Sequence, residues 1–165
     1  MSQAPAKIVL PRLVPETAVR TLVRSFGLLE RVMQPYFAKF GISGAQWGVL
    51  RQLHRAESEG LPALRMTELS KRLLIRLPSA TGVIDRLVRD GLVTRTALNE
   101  DLRVKQISLA QKGRRRVEQV LEGYDDQIAS ILDGLLPSEQ GELQRLLNRL
   151  REHLEHLLVR ENVNR

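Results

Sequence analysis

The chain has 165 residues, of which 42% are hydrophobic and 27% charged, a balance typical of one globular domain that buries roughly 70% of its unfolded surface. It has no cysteine, which excludes disulfides, thiolate metal sites and thiol redox sensors, and its few aromatic residues disfavour a base-stacking platform for single strands. Because no apolar run approaches the length of a membrane span, we expect a soluble cytoplasmic protein with no membrane partner.

Positive charge is concentrated in the middle of the chain. The net charge of +7 divides into +4 over residues 1–62, +8 over residues 63–116 and −5 over residues 117–165. A cationic segment attracts a polyanion, whereas the acidic C-terminal segment repels it. Charge alone leaves open the alternative that these side chains only solvate surface helices.

The N-terminal region predicts an arm followed by a helix. Residues 1–15 contain three prolines and no hydrophobic period, which predicts an extended arm. From Glu16 to about Phe40, apolar residues recur every three or four positions, which predicts a long amphipathic helix that ends at Gly41. Pro35 cannot donate a backbone hydrogen bond, so we expect a kink or an early stop there.

Two more helices are predicted before the middle of the chain. Ser43 is a favourable N-cap for the second helix, which stops near Gly60. The third is short, with Thr67 as its cap and a body from Glu68 to Leu74.

A fourth helix is predicted after a three-residue turn. Pro78 takes its first helical position, and the helix runs to Asp90 and stops at Gly91. Its inward-facing residues are predicted to be Ala80, Ile84, Leu87 and Val88.

Beyond the fourth helix, the period changes from helical to alternating. Two short strands are predicted at 92–96 and 105–109, joined by a polar hairpin tip. Lys112 and Gly113 precede a fifth helix, whose apolar stripe continues to Leu132. A sixth helix starts at Pro137 and carries a row of leucines.

A short helix, a turn, a second helix and a hairpin, in this order, form a winged helix-turn-helix. In that motif the second helix enters the major groove of double-stranded DNA and the hairpin reaches the backbone or minor groove. All four elements lie in the segment that carries +8. The predicted fold is mainly α with a small β-hairpin wing, and N- and C-terminal dimerisation helices flank the winged helix-turn-helix.

Helices 1, 5 and 6 predict a homodimer. Their apolar stripes are too wide for a winged helix to cover, so these helices pack on each other or on a second copy. A two-fold dimer places two recognition helices about one DNA turn apart and reads an inverted repeat. The predicted divisions are an arm (1–15), dimerisation and support helices (16–62), the DNA-binding region (63–113) and further dimerisation helices (114–165).

From about residue 16 to 160 the sequence resembles the MarR (multiple antibiotic resistance regulator) family of bacterial transcription factors. The resemblance is carried by residues 85–93 (DRLVRDGLV), 99–103 (NEDLR), 107–109 (ISL) and 112–113 (KG). It implies a nucleoid-associated homodimeric repressor with interlocking terminal helices. In many members of the family, a small phenolic or aromatic effector relieves repression.

Candidate DNA contacts lie first on the fourth helix. Pro78 fixes its first turn, and Ser79 and Thr81 are hydroxyls near the positive helix N-terminus. Gly82 permits close backbone approach, and Arg86, further along, is a candidate for a base or phosphate contact. The alternative role for Ser79 is helix capping alone.

The wing supplies the other candidates. The resemblance makes Arg103 the strongest DNA contact, with simple solvation as its alternative, and Lys105 joins the DNA-binding set. In the family, the aspartate matching Asp85 can pair with the arginine matching Arg103 and fix the wing angle; a solvated Asp85 is the alternative. Asp101 is assigned the same wing-positioning role.

Trp47, His54 and a histidine pair are candidates for binding a small molecule or a metal ion. The resemblance places an effector cleft beneath the winged helix, so Trp47 is a candidate pocket residue, with core packing as the alternative. His54 is expected to pack near the end of the second helix, with a ligand or pH role as the alternative that makes it a candidate pocket residue. His153 and His156 have a spacing that suits a metal but no evident third ligand. The alternative is two exposed histidines, and we predict no metal and no cofactor.

No set of residues typical of a catalytic site stands out, so an enzyme is not expected. The rival functions are a protein-interaction module and a general DNA-compacting protein.

Overall fold

The computed structural model describes residues 15–73, 77–97 and 105–163. The predicted arm and wing tip, and most of the predicted turn between helices 3 and 4, lie outside these ranges. The chain divides into two compact units, the first ending at Val120 and the second starting at Leu121. In chain order the elements are α1 (Pro15–Ala38), α2 (Gly44–Ser58), β1 (Leu64–Arg65), α3 (Met66–Leu73), α4 (Leu77–Arg89), β2 (Val93–Ala97), β3 (Lys105–Leu109), α5 (Gln111–Leu121), α6 (Tyr124–Leu132) and α7 (Pro137–Val163).

The first unit is a winged helix built on a small antiparallel sheet of order β1-β3-β2. Val93 of β2 pairs with Leu109 of β3, so their side chains lie on the same face of the sheet. This face is turned toward the helices, and both residues are buried. The largest fully buried side chains of this core come from α2, α3, α4, α5 and the sheet: Val49, Leu50, Leu53, Leu69, Ile84, Leu87, Val93, Ile107, Val117 and Val120. The predicted fold class, mainly helical with a β-hairpin wing, is confirmed.

The corner between α1 and α2 follows the predicted signals in part. The helix continues through Pro35 to Ala38, so the alternative of an early stop at the proline is wrong. Gly41 adopts a φ of 67° just beyond the helix, a conformation that favours glycine. Ser43 caps α2 as predicted, and Gln46 completes a capping box by accepting from the Ser43 backbone amide.

The start of α3 differs from the prediction. The helix begins at Met66, so the assignment of Thr67 as its cap is wrong. The residues before it form β1, in which Arg65 pairs with Gln106 of β3. The backbone amide of Arg65 donates to Glu68 Oε2 at 2.7 Å, and this acidic side chain satisfies the helix start in place of a hydroxyl cap.

Helix α4 packs on the core through one face. Ala80, Ile84 and Leu87 are fully buried as predicted, but Val88 is 38% exposed, so its inward assignment is wrong. Val83 is buried as well, at 7% exposure; at 100° per residue Val83 and Val88 lie at opposite edges of the stripe, and only the edge with Val83 is covered by the core.

The predicted fifth helix is two helices. Helix α5 ends at Leu121 and α6 begins at Tyr124, with Gly123 between them. Glycine destabilises a helix interior, and Gly123 marks the break. The spacing of the apolar residues continues across it, so hydrophobic periodicity did not predict the break. Lys112 and Gly113 lie inside the first turn of α5 rather than before it.

The second unit contains α6 and α7. The Gln140 side-chain amide of α7 donates to the carbonyls of Leu132 and Leu135, at 3.2 and 3.0 Å, and ties the two helices together. Helix α7 starts at Pro137 as predicted. Among the helices of the described ranges, none is both long and apolar enough to cross a membrane.

Candidate nucleic-acid interface

The face of α4 turned away from the core carries a row of small or cationic residues. Ser79, Gly82, Arg86 and Arg89 follow one another at spacings of three and four, which places them on one side of the helix. Ser79, Arg86 and Arg89 are exposed, and a Cβ at Gly82 would meet nothing within 4 Å. Sequence reasoning missed Arg89, although its spacing from Arg86 could have revealed it.

The other predicted residues at the start of α4 are placed less openly. The helix begins at Leu77, one residue before Pro78, which therefore lies in the first turn as expected. Thr81 is half-buried and has a partner within the protein. The open row on α4 therefore begins at Ser79 and does not include Thr81.

The wing is a two-stranded ribbon with five aligned residue pairs. The hydroxyls of Thr94 and Ser108, which face each other across the strands, are 2.7 Å apart. Lys105 is exposed at the start of β3. Arg103 and Asp101 lie outside the described residues, so their roles stay predictions.

An ion pair joins α4 to the wing. Arg95 Nη2 of β2 donates to Asp85 Oδ1 at 2.6 Å. Asp85 is therefore not simply solvated, and its described partner differs from the arginine that the family resemblance suggested. Sequence reasoning missed Arg95, because one arginine in a strand gives no sign of its partner.

The base of the wing rests on the first turn of α5. Lys112 Nζ donates to the backbone carbonyl of Asp90 at 2.8 Å, where α4 ends and free carbonyls favour a cation. A Cβ built at Gly113 would lie 2.0 Å from the carbonyl oxygen of Leu92. Only glycine allows this approach, which explains the Lys-Gly pair in physical terms.

The run of three arginines at the start of α5 is largely structural. Arg114 grips Glu57 of α2 with two nitrogens, the shorter contact being 2.6 Å, and this hydrogen bond raises the pKa of Arg114. Arg116 donates to the backbone carbonyl of Phe40, in the turn that follows α1. Of these three arginines, only Arg115 has no described hydrogen-bond partner, so the sequence charge overstated the number of cations available to DNA.

The cations of the middle segment thus divide into two groups. Arg72 also belongs to the structural group, since it donates to Glu59 at 2.7 Å and lowers the pKa of that carboxyl. In the described part of the chain, five cations of this segment have neither a carboxylate within ion-pair distance nor a side-chain hydrogen bond to a backbone carbonyl such as those of Lys112 and Arg116: Arg65, Lys71, Arg86, Lys105 and Arg115. We call these five the unpaired cations.

The two candidate pocket residues lie on α2. Trp47 is 5% exposed, and its ring centroid lies 5.8 Å from that of Phe37 in an aromatic cluster with Tyr36 and Phe40. His54 is half-buried, with Nδ1 3.3 Å from a guanidinium nitrogen of Arg51. Trp47 thus contributes to packing at the α1–α2 corner, and the ligand role of both residues stays a prediction.

His153 and His156 are exposed on α7. Within the described ranges, no three histidine or acidic side chains gather in a way that could hold a metal ion.

Comparison with known proteins gives consistent similarities. A family model described as the MarR family matches residues 40–103. The chain is 33% identical to the transcriptional repressor YetL of Bacillus subtilis, over 76% of this chain and 74% of that protein. It is 35% identical to the homoprotocatechuate degradative operon repressor of Escherichia coli, over 55% of this chain and 61% of that protein. A mutant Escherichia coli MarR protein solved with operator DNA superposes with a TM-score of 0.71 at 24% identity, covering 87% of this chain and 99% of that one.

Proposed function

Since this chain belongs to the MarR family of transcriptional regulators, we propose that it represses transcription by binding an inverted-repeat operator in double-stranded DNA as a homodimer. It is a DNA-binding regulator and not an enzyme. The observation that carries the proposal is the open row on α4 formed by Ser79, Gly82 and Arg86, next to a wing that an ion pair ties to the same helix.

The residues of the row suit different parts of a DNA duplex. Ser79 lies near the helix N-terminus, where a hydroxyl and backbone amides favour a phosphate. Gly82 lets the helix backbone approach closely, and the fork of Arg86 matches the O6 and N7 acceptors of guanine in the major groove. Lys105 and Arg103 supply phosphate contacts from the wing. Lys71 and Arg115 add positive charge without sequence preference.

The dimer part of the proposal rests on two uncovered apolar faces. On α1, side chains that are more than half exposed include Val19, Val23, Phe26 and Val32. On α7, seven leucines are between 38% and 54% exposed. A monomer rarely leaves such rows in water, so a second copy of the chain is the natural cover. Helix α5 needs no such cover, since Val117 and Val120 are buried within the first unit.

The effector part of the proposal assigns a small aromatic or phenolic molecule to the surroundings of Trp47 and His54. One similar protein represses an operon for the degradation of homoprotocatechuate, a phenolic acid. Trp47 is the only tryptophan of the chain, so its fluorescence reports directly on that region. Titration with hydroxybenzoates and dihydroxyphenylacetate should change this fluorescence and weaken DNA binding at the same concentrations. Release of DNA without a change in fluorescence would remove Trp47 from the pocket.

The DNA-binding proposal is tested by selecting the preferred sequence from a random duplex pool and then measuring binding by fluorescence anisotropy at several salt concentrations. Arg86→Ala should lose about 1–3 kcal/mol on the selected site and spare random DNA, as the loss of a base contact does. Arg103→Ala should weaken binding to every sequence and lower the salt slope by about 1. Arg160→Ala, which removes an exposed cation from α7, is the matched control and should change neither.

The outcomes separate the rival functions. A selected consensus with two-fold symmetry supports an operator-binding dimer. Equal affinity for all duplexes, with both arginine variants affecting them alike, would indicate a DNA-compacting protein instead. Failure of the wild-type chain to bind any duplex at low salt would leave only a protein-interaction module.

A further inference from the structure

The contact between Asp85 and Arg95 is the one described ion pair that links α4 to the wing. Arg95 shares its strand face with Val93 and Ala97, and it pairs across the ribbon with the fully buried Ile107. Its guanidinium therefore starts from the side of the ribbon that faces the helices, which is how it reaches Asp85.

The position of Arg95 along the strand explains how its contact with Asp85 can fix the direction of the outer part of the wing. Toward the body of the domain, Val93 and Leu109 are buried and hold the ribbon by apolar packing. Toward the tip, Ala97 and Lys105 form the last described pair. Arg95 therefore lies where burial on this strand ends, and the third strand stops one pair farther on, because β1 pairs with Ile107 and Gln106 but not with Lys105. From the pair of Ala97 and Lys105 onward, the ribbon has two strands only. Two-stranded ribbons twist readily and are weakly stable alone, so an anchor at this point fixes the direction of what lies beyond it.

We propose that Arg95 is a positioning residue that sets the angle between the wing and α4 through Asp85, and that it does not itself contact DNA. The inference rests on the proposed DNA-binding function. With its guanidinium committed to the carboxylate, Arg95 also neutralises a negative charge on a helix face that borders the row of Gly82 and Arg86. The phosphate contacts of the wing are thereby left to Lys105 and Arg103.

The sign of one substitution distinguishes positioning from contact. If Arg95 touched a phosphate, Asp85→Ala would free it and remove a negative charge, so DNA binding would tighten. If Arg95 acts through Asp85, Asp85→Ala should weaken binding, against the direction that charge alone predicts. Asp90→Ala is the matched control, because it removes a carboxylate from the end of the same helix without touching the pair.

The experiment combines DNA titration with amide hydrogen exchange on the full-length chain. Asp85→Ala, Arg95→Ala and the double variant should each bind the selected duplex about two- to fivefold more weakly per lobe, the range for an exposed ion pair, with no further loss in the double variant. The salt slope should stay unchanged in Arg95→Ala. Amides of β2 and β3 should exchange faster by a similar factor without DNA. Arg72→Ala, which breaks another exposed ion pair, should leave the exchange of β2 and β3 unaltered.

Two results would overturn the proposal. A salt slope lower by about 1 in Arg95→Ala, with tighter binding by Asp85→Ala, would make Arg95 a direct phosphate contact. Faster exchange in the ribbon without any loss of affinity would reduce the pair to a local stabilising contact. Because exchange is measured on the free protein, it reports on the pair even if the wild-type chain shows no operator preference, so the two failures are distinguishable.

Discussion

A substitution at Gly82 of α4 should change protein stability and DNA affinity in opposite directions. It lies in the helix interior on the side opposite the buried stripe, and a Cβ there would meet nothing within 4 Å. Alanine is favoured over glycine in a helix interior by about 0.8–1.0 kcal/mol, because glycine loses more backbone freedom on folding. With no clash to offset this gain, Gly82→Ala should stabilise the protein and raise its melting temperature by roughly 2–4 °C.

The same substitution should weaken DNA binding. If the α4 backbone lies against the duplex at Gly82, a methyl group there overpacks a closed interface, at a cost typical of about 1–3 kcal/mol. Such a cost corresponds to roughly 5- to 150-fold in affinity. Stability should thus rise while operator binding falls, an opposition that general damage to the fold cannot produce.

The assay pairs thermal unfolding at a fixed protein concentration with anisotropy titration of the operator duplex. Gly141→Ala is the matched control, because Gly141 is also a helical glycine with nothing within 4 Å of a built Cβ, and it lies opposite the leucine row of α7. That variant should gain stability and keep its affinity. Wild-type affinity in Gly82→Ala at low and high salt alike would refute the close approach of α4 to DNA. A lower melting temperature of Gly82→Ala would contradict the expectation that a methyl group at this position meets no other atom in the folded protein.

Three further substitutions test other parts of the structure. Leu150→Lys together with Leu154→Lys places charge in the α7 stripe and should abolish dimerisation and operator binding together, as light scattering and anisotropy would show; an intact dimer would remove α7 from the interface. Gly113→Ala forces a Cβ onto the Leu92 carbonyl and should destabilise the fold by about 1–3 kcal/mol in urea unfolding, and an unchanged midpoint would contradict that contact. Arg114→Ala should lower stability by at most about 1 kcal/mol in the same assay, because the pair is partly exposed, and should leave the salt slope unchanged; a lower slope would return this arginine to the DNA interface.

Sequence patterns predicted the elements whose signal is local. The φ of 70° at Gly91 marks the end of α4, and the capping pattern at Ser43 marks the start of α2. In both cases the responsible chemistry, a backbone conformation or a side-chain cap, is complete within a few residues. The change from helical to alternating period likewise located both strands of the wing to within one residue.

Features that depend on distant partners were not predictable in this way. Strand β1 has two residues, too short for any period, and exists because β3 offers it an edge. The break at Gly123 leaves the apolar spacing of its flanks undisturbed. The partner of Arg95 is set by how α4 and β2 cross in space, which no local pattern encodes.

The same limit governs the meaning of the positive charge. A cation increases DNA affinity through counterion release only when it approaches a phosphate. A guanidinium that is hydrogen-bonded to a carboxylate must first lose that hydrogen bond. Arg114 holds Glu57 and Arg95 holds Asp85, so each would exchange one partner for another with little net gain. Arg86 and Lys105 have no described carboxylate to lose. The salt dependence of binding should therefore follow the unpaired cations and the wing tip rather than the net charge of the segment, and the sequence charge sets only its upper bound.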